Sequence, residues 1–279
     1  ELKLAIETYE KALTIDGNFL PARYNYARAL QQNGDDERAI EIYAAIIKLQ
    51  PDFPEALSNF GLALRNKGRA SDAIVPLQRA AELQPQAAEH YYNLGLALMD
   101  IGHNADAIEC FEGATTIKPD YPHAHNDHGN ALLAMGRARE AIPHFQKALE
   151  YAPNSSGMHN NLGGAYVRTG KLQEAQSCFE RALELKPGFA EAHNNLGNLY
   201  QELGEFEQAH TSFERALLAD PLYTEAHSNM LFAMNYDPSK TGEEIFEYYR
   251  AYEDRFARPH YTNHKPHNND ADPNRRIKI

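Results

Sequence analysis

The stretch PEALSNFGLALRNKGRASDAIVPLQRAAELQP, residues 54–85, recurs in outline every 34 residues along a chain of 279. A fixed period of this length is typical of repeat architectures, in which each copy packs against its neighbours. Six full copies align over 20–53, 54–87, 88–121, 122–155, 156–189 and 190–223. Residues 1–19 match the second half of a truncated copy, and residues 224–235 match the first half of another. Because one copy cannot bury its own apolar face, the pattern predicts a continuous stack.

Recurring residues within each copy predict a helix–turn–helix unit. Counted from the first residue of each copy, position 15 is glycine in every full copy. Glycine ends a helix in a left-handed conformation without steric cost. Position 20 is alanine, position 8 is alanine or glycine, and position 24 is large, so the large residue should fill the space that the small ones leave. Proline at position 32 should end the second helix. The position-15 glycines are Gly34, Gly68, Gly102, Gly136, Gly170 and Gly204.

This combination resembles the tetratricopeptide repeat, a helix–turn–helix unit of the same length. The resemblance covers residues 1 to about 235 and implies an all-α fold, a tetratricopeptide-repeat superhelix (α-solenoid) of antiparallel helix pairs. In such arrays the first helices line the concave side and the second helices form the convex side. The sequence leaves open whether copies of the chain form a homo-oligomer through the convex face.

Composition narrows the range of functions. The formal net charge is -12, and an acidic chain repels phosphate backbones, so nucleic acid is disfavoured as a partner. No apolar run approaches the ~20 residues that span a bilayer. Residues 1–15 do not follow the order of a signal peptide, so the expected compartment is the cytoplasm. Only two cysteines occur, Cys110 and Cys178; both fall at position 23, two repeats apart, and are expected to be free thiols on the convex face.

Position 6 of the first helix carries a ladder of amides that is the strongest candidate for a binding site. By the helical period, this position should face the groove. An asparagine amide offers a donor and an acceptor together, so it can pair with the N–H and C=O of an extended peptide whatever its side chains. The alternative is that each amide bonds across to an adjacent helix. The ladder consists of Asn25, Asn59, Asn93, Asp127, Asn161, Asn195 and Asn229.

The histidines and the remaining polar residues do not predict a catalytic or metal site. Histidine recurs at position 4, but side chains one repeat apart should not converge on one ion, whose ligand nitrogens lie ~2.1 Å away. His125 and His128 could share an ion, yet no thiol or carboxylate pattern completes a site around them. No cofactor is expected. His128 stands at position 7, normally apolar, so this copy is expected to pack less well.

After residue 235 the period breaks, and NMLFAMNYDPSKTGEEIFEYYRAYEDRFARP, 229–259, predicts further helices. Thr241 and Glu244 form a capping box, and an apolar stripe follows it from Ile245 to Phe256. We therefore assign 224–258 to C-terminal capping helices. Residues 259–279 are expected to be a polar linker followed by RRIKI, which alternates as a strand does.

The order of repeats, the quoted stretch and a linker with DPNRRIKI is similar to bacterial relatives of the O-linked N-acetylglucosamine transferase, the family that includes the plant SPINDLY proteins. The resemblance implies that RRIKI is the first strand of a catalytic domain that the chain lacks. It further implies that the repeats recruit acceptor proteins as extended peptides, with N-acetylglucosamine transferred from UDP-GlcNAc to Ser or Thr by that domain. No catalytic residue of the family is present in the chain. The alternative is a free-standing scaffold for protein complexes.

Overall fold

The computed structural model describes residues 2–252, and every regular element in that range is an α-helix. The predicted linker and strand at 259–279 lie outside the described residues. The helices are α1 (Leu2–Ile15), α2 (Leu20–Gln32), α3 (Asp36–Leu49), α4 (Pro54–Asn66), α5 (Ala70–Leu83), α6 (Ala88–Asp100), α7 (Asn104–Ile117), α8 (Pro122–Ala134), α9 (Ala138–Tyr151), α10 (Ser156–Arg168), α11 (Leu172–Leu185), α12 (Ala190–Glu202), α13 (Phe206–Ala219), α14 (Thr224–Tyr236) and α15 (Gly242–Tyr252).

The turn inside each full repeat is made by the glycine at position 15. All six of these glycines have φ between 72° and 81°, a region that side chains with a Cβ avoid. At the first of them, the N–H of Asp35 bonds to the carbonyl of Leu30 at 2.9 Å, which satisfies a carbonyl that the helix end leaves free. The predicted glycine stop signals are therefore confirmed.

The first compact unit, Glu1–Leu185, contains α1 to α11. Each helix packs against the next one along the chain, and the successive first helices α2, α4, α6, α8 and α10 also contact one another. The predicted packing of a large residue at position 24 against a small one at position 8 is found in this unit. A Cβ added to Gly95 would lie 2.6 Å from Phe111, and one added to Gly129 would lie 2.7 Å from Phe145.

The second compact unit, Lys186–Ile279, contains α12 to α15. Its core includes Phe213 of α13 with Met230 and Met234 of α14, and Ile245 and Tyr248 of α15 pack against them. Gly197 approaches Phe213 as closely as the equivalent pairs do in the first unit.

Helix α15 begins with the predicted capping box. The N–H of Thr241 donates to Glu244 Oε2 at 2.7 Å, and the N–H of Glu244 donates to Thr241 Oγ1 at 3.2 Å. Two donors that the helix start leaves free are thereby satisfied reciprocally. The far end of the predicted stripe, at Phe256, lies outside the described residues.

Candidate functional site

The predicted ladder occupies equivalent places on seven first helices, α2, α4, α6, α8, α10, α12 and α14. All seven of its side chains are partly buried, so none projects freely into solvent. Asn25 begins the ladder on α2, and Asn195 lies on α12 in the second unit. The question is what holds each amide at this depth and which of its atoms are left for a ligand.

Within the first unit, the amides are held by bonds to position 5 of the preceding repeat. Asn59 Nδ2 donates to Tyr24 Oη at 3.0 Å, and Asn93 Nδ2 donates to Ser58 Oγ at 3.1 Å. Asn161 Nδ2 donates to Asn126 Oδ1 at 3.0 Å. Each bond spans 35 residues, which is one repeat plus the step from position 5 to position 6. The three amides therefore point their nitrogen in the same direction.

The second unit repeats this arrangement at its last rung. Asn229 Nδ2 donates to Asn194 Oδ1 at 2.9 Å, again over 35 residues. Asn194 is fully buried, so its carbonyl oxygen is held in a fixed place. A polar side chain at position 5 is thus the partner in both units, whether it is a phenol, a hydroxyl or an amide.

These bonds bear on both interpretations of the ladder. The bond across to an adjacent helix, which the sequence analysis set out as the alternative, is present at Asn59, Asn93, Asn161 and Asn229. It uses one N–H of each amide. The second N–H and the carbonyl oxygen, with its two lone pairs, keep their capacity to bond. A braced amide is also an oriented one, which lowers the entropy lost when a ligand binds.

Asp127 is the one carboxylate of the ladder, and its surroundings differ from those of the amides. It accepts from Tyr92 Oη at 2.8 Å, from Asn126 Nδ2 at 3.0 Å and from Asn130 Nδ2 at 3.2 Å. The donor and acceptor roles between positions 5 and 6 are therefore reversed at this rung. Burial, followed by the field and the hydrogen bond of Asp127, raises the pKa of the Tyr92 phenol, which stays protonated and donating.

Family models for the tetratricopeptide repeat match residues 1–58, 88–121, 120–188 and 154–220, and a further model for the same repeat matches residues 61–102. Together these matches cover most of the chain. The chain belongs to the tetratricopeptide repeat family. The predicted all-α fold is confirmed by these matches and by the helical structure.

Solved tetratricopeptide structures resemble the chain along much of its length. The hetero-tetramer Cut9–Hcn1 of APC/C matches at a TM-score of 0.71 and 19% identity, over 84% of this chain and 46% of that one. This chain thus spans about half the length of that match. MamA matches at 0.55 and 28% identity, over 59% of this chain and 96% of that one. YrrB, described as having an unusual peptide-binding site, matches at 0.54 and 24% identity, over 66% and 95%. None of the curated proteins compared with the chain matches it significantly.

The histidines at position 4 of the tetratricopeptide repeats lie at the junction with the preceding repeat and make a hydrogen bond there that the sequence pattern did not predict. His125 Nε2 lies 2.9 Å from the carbonyl oxygen of Pro119, and His159 Nε2 lies 3.0 Å from that of Pro153. In the second unit, His193 makes the same contact with Pro187 at 2.9 Å. The ring N–H thus satisfies a carbonyl at the end of the preceding second helix. The available signal was the constant spacing of six residues between proline and histidine.

An exposed aromatic pair on α14 was also missed. Phe232 and Tyr236 are 52% and 62% exposed, and their ring centroids lie 4.6 Å apart. They follow Asn229 at spacings of three and seven residues, which places all three on one face of the helix. The other first helices carry no aromatic residue at these two positions.

Three imidazoles gather between α8 and α9, but they do not form a metal site. The rings of His128 and His144 have centroids 3.7 Å apart, and those of His125 and His144 lie 6.4 Å apart. Among residues 2–252, no group of three or more candidate ligands has a geometry that could hold an ion. His128 is only 2% exposed, so the imidazole takes the buried place that an apolar side chain holds in the neighbouring repeats.

Both cysteines are free thiols, as predicted, and both lie on second helices, α7 and α11. Cys110 and Cys178 are partly buried and pack against the core that contains Phe111 and Phe145. Burial raises the pKa of each thiol to about 11, so neither is a ready nucleophile at neutral pH. In the part of the chain that the structure describes, no helix is long and apolar enough to cross a membrane.

Proposed function

We propose that the chain binds extended peptide segments along the position-6 ladder and recruits acceptor proteins for an O-glycosyltransferase. The observation that supports the peptide-binding part is the uniform orientation of the braced amides. Tetratricopeptide scaffolds bind segments of partner proteins, and this one carries a row of preset neutral groups in the place where a segment would lie.

The chemistry of the ladder fits a peptide backbone better than particular side chains. Each braced amide keeps a carbonyl oxygen that can accept a backbone N–H, and a second N–H that can donate to a backbone carbonyl. Neighbouring helix layers stand about 10 Å apart, and an extended chain advances about 3.3 Å per residue, so one rung would meet roughly every third residue. A neutral hydrogen bond contributes on the order of 1 kcal/mol, so affinity would come from several rungs together.

A matched pair of substitutions in the first unit tests the binding role. Asn93→Ala removes the rung, whereas Ser58→Ala removes its brace and leaves the amide in place. We expect Asn93→Ala to weaken peptide binding about threefold to tenfold, from the loss of about 1 kcal/mol. Ser58→Ala should change it much less. Titration of folded protein with a panel of unstructured peptides measures both values, and equal affinities for the two variants and the parent would refute a binding role for this rung.

The glycosyltransferase part of the proposal rests on the resemblance of 229–259 and DPNRRIKI to that family. Much of this segment lies outside the described residues. We expect residues 1–279 alone to transfer no sugar, because no catalytic residue of the family is present. The test is the reading frame beyond Ile279 and transfer from UDP-GlcNAc by its product. A frame without a nucleotide-sugar-binding domain would exclude the transferase role.

The second candidate is a free-standing scaffold, which the similarity to whole tetratricopeptide proteins favours. MamA and YrrB are each covered over about their full length by this chain, at 96% and 95%. Both candidates use the same ladder, so the Asn93 and Ser58 pair does not separate them. The UDP-GlcNAc assay does, because only the transferase role predicts that bound peptides become modified on Ser or Thr.

A further inference from the structure

One core position in the repeat at 122–155 carries an ionisable side chain. Position 7 is apolar in the neighbouring repeats, where it is Phe60, Leu94 and Leu162. In this repeat it is His128, which is buried to the same degree as a core leucine, with 2% of its surface exposed. A histidine fits such a place only while it is neutral, because burial without a partner disfavours its charged form.

The ring of His128 has a second imidazole against it and lacks the partner that a charge would need. His144 of α9 lies with its ring centroid 3.7 Å away, and His125 is 6.4 Å from His144. The Nδ1 atoms of His125 and His128 are buried and have no hydrogen-bond partner within the described residues. A proton added at the buried Nδ1 of His128 would therefore have no hydrogen-bond partner.

We propose that the His128–His144 pair makes the repeat at 122–155 an acid-sensitive segment of the first unit. At neutral pH the two rings, tilted by 31° to one another, fill the space between α8 and α9 without a charge. At acid pH, protonation of His128 places a buried charge beside a second imidazole, and protonation of the partly buried His144 places a charge against the ring of His128. Either event opens the packing of this repeat. Opening of this repeat would also disturb the ladder, because Asp127 precedes His128 and would move with α8.

The charged groups around the pair are distributed unevenly. Arg137, between α8 and α9, joins His125 and His144 in opposing a charge on His128. Glu112 of α7 and Glu140 of α9 favour a charge on His144, but they do not outweigh its burial. The other neighbouring helix, α10, contributes the apolar Leu162 and Ala165 to the same core.

The direction of the pH effect follows from these surroundings. Burial, then the fields of the neighbouring cations, lowers the pKa of His128 to about 4, and burial also lowers that of His144. Folding therefore favours the neutral rings. The stability they contribute is complete above the unfolded pKa of about 6.5 and is lost progressively as the pH falls towards the folded value.

Amide hydrogen exchange at pH 7.5 and pH 5.5, expressed as protection factors, tests the proposal on residues 1–279. In the parent protein we expect protection across 122–151 to fall about tenfold more at pH 5.5 than in the remaining helices of the first unit. His128→Leu installs the residue found at this position in the adjacent repeats and should abolish the extra loss. His103→Gln changes an exposed histidine and should leave the loss as it is in the parent.

Three results would overturn the proposal. They are a loss of protection spread evenly over the unit, a loss that His128→Leu leaves unchanged, and a loss that His103→Gln abolishes equally. A second measurement does not depend on a variant. Imidazole NMR titration of the parent should show His128 still neutral at pH 5.5, and a midpoint near 6.5 would refute the buried, unpartnered state on which the argument rests.

Discussion

Glycine at position 8, where a repeat has it, is required by the large side chain that faces it. In the repeat at 156–189 two glycines are adjacent on α10, yet only one of them is required by packing. A Cβ on Gly163 would lie 2.5 Å from Phe179 Cε1, whereas a Cβ on Gly164 would have no atom within 4 Å. Packing therefore requires glycine at Gly163 but not at the adjacent Gly164.

This contrast gives a prediction at the residue scale. Gly163→Ala should destabilise the protein by about 1–3 kcal/mol, because the methyl group displaces a buried ring. Gly164→Ala should stabilise it by about 0.5–1 kcal/mol, because alanine loses less backbone freedom than glycine in a helix. Urea unfolding of the two variants and the parent measures both changes. A shift of the same sign for the two would contradict the packing shown here.

At the scale of single helices, α15 depends on its start more than the repeat helices do. Its Phe246 and Tyr249 are 63% and 50% exposed, and of the side chains that the structure describes in this helix, Ile245 and Tyr248 pack against the core of the second unit. A helix with few buried contacts relies on local interactions such as caps. The capping box at Thr241 is therefore expected to decide whether α15 stays formed.

Thr241→Ala tests this dependence. Loss of a threonine N-cap costs about 1 kcal/mol, so exchange protection in 243–251 should fall about fivefold. Thr211→Ala is the matched control, because Thr211 lies on the exposed side of α13 in the same unit and bonds only to Glu207 of its own helix. Protection of 243–251 should be unaffected by this change. If both variants behave alike, the cap does not hold the helix.

At the scale of the whole molecule, the ladder is a series of small, repeated contributions. Stability in repeat proteins is approximately a sum over units and their interfaces. The braces at Asn59, Asn93 and Asn161 should thus contribute separately, and so should the bonds that the same amides make to a ligand. Peptide binding and stabilisation of the stack can then be measured separately, by substituting either the position-6 amide or its position-5 partner.

Two triple variants make that separation. Asn59, Asn93 and Asn161 changed to alanine should lower both stability and peptide affinity, whereas Tyr24→Phe, Ser58→Ala and Asn126→Ala together should lower stability and change affinity much less. Each lost bond is worth about 1 kcal/mol, so affinity of the first variant should fall by roughly two orders of magnitude. The fall should be similar for unrelated peptides, because backbone contacts ignore side chains. Thermal unfolding paired with peptide titration measures both quantities. If the second variant loses as much affinity as the first, the amides only brace the stack.

Much of this architecture was predictable because its determinants are local in the sequence. The 34-residue period, the glycine stops and the small-to-large exchange at positions 8 and 24 are each properties of residue type at a fixed spacing. Packing between neighbouring repeats repeats the same contacts, so one copy contains the rule for all of them. The capping box of α15 was predictable for the same reason, because its two residues are three apart.

What only the tertiary structure decided is how polar side chains are paired across repeats. The partner of Asn93 is Ser58, and Asp127 accepts from Tyr92, because helix stacking brings positions 5 and 6 together over 35 residues. Residue type favoured a binding group and left a brace open as the alternative, since an amide can do both. The burial of His128 likewise depends on packing, because the ring of His144 lies against it between α8 and α9. Residue type sets what a side chain can bond to, and the stacked helices set which partner it meets.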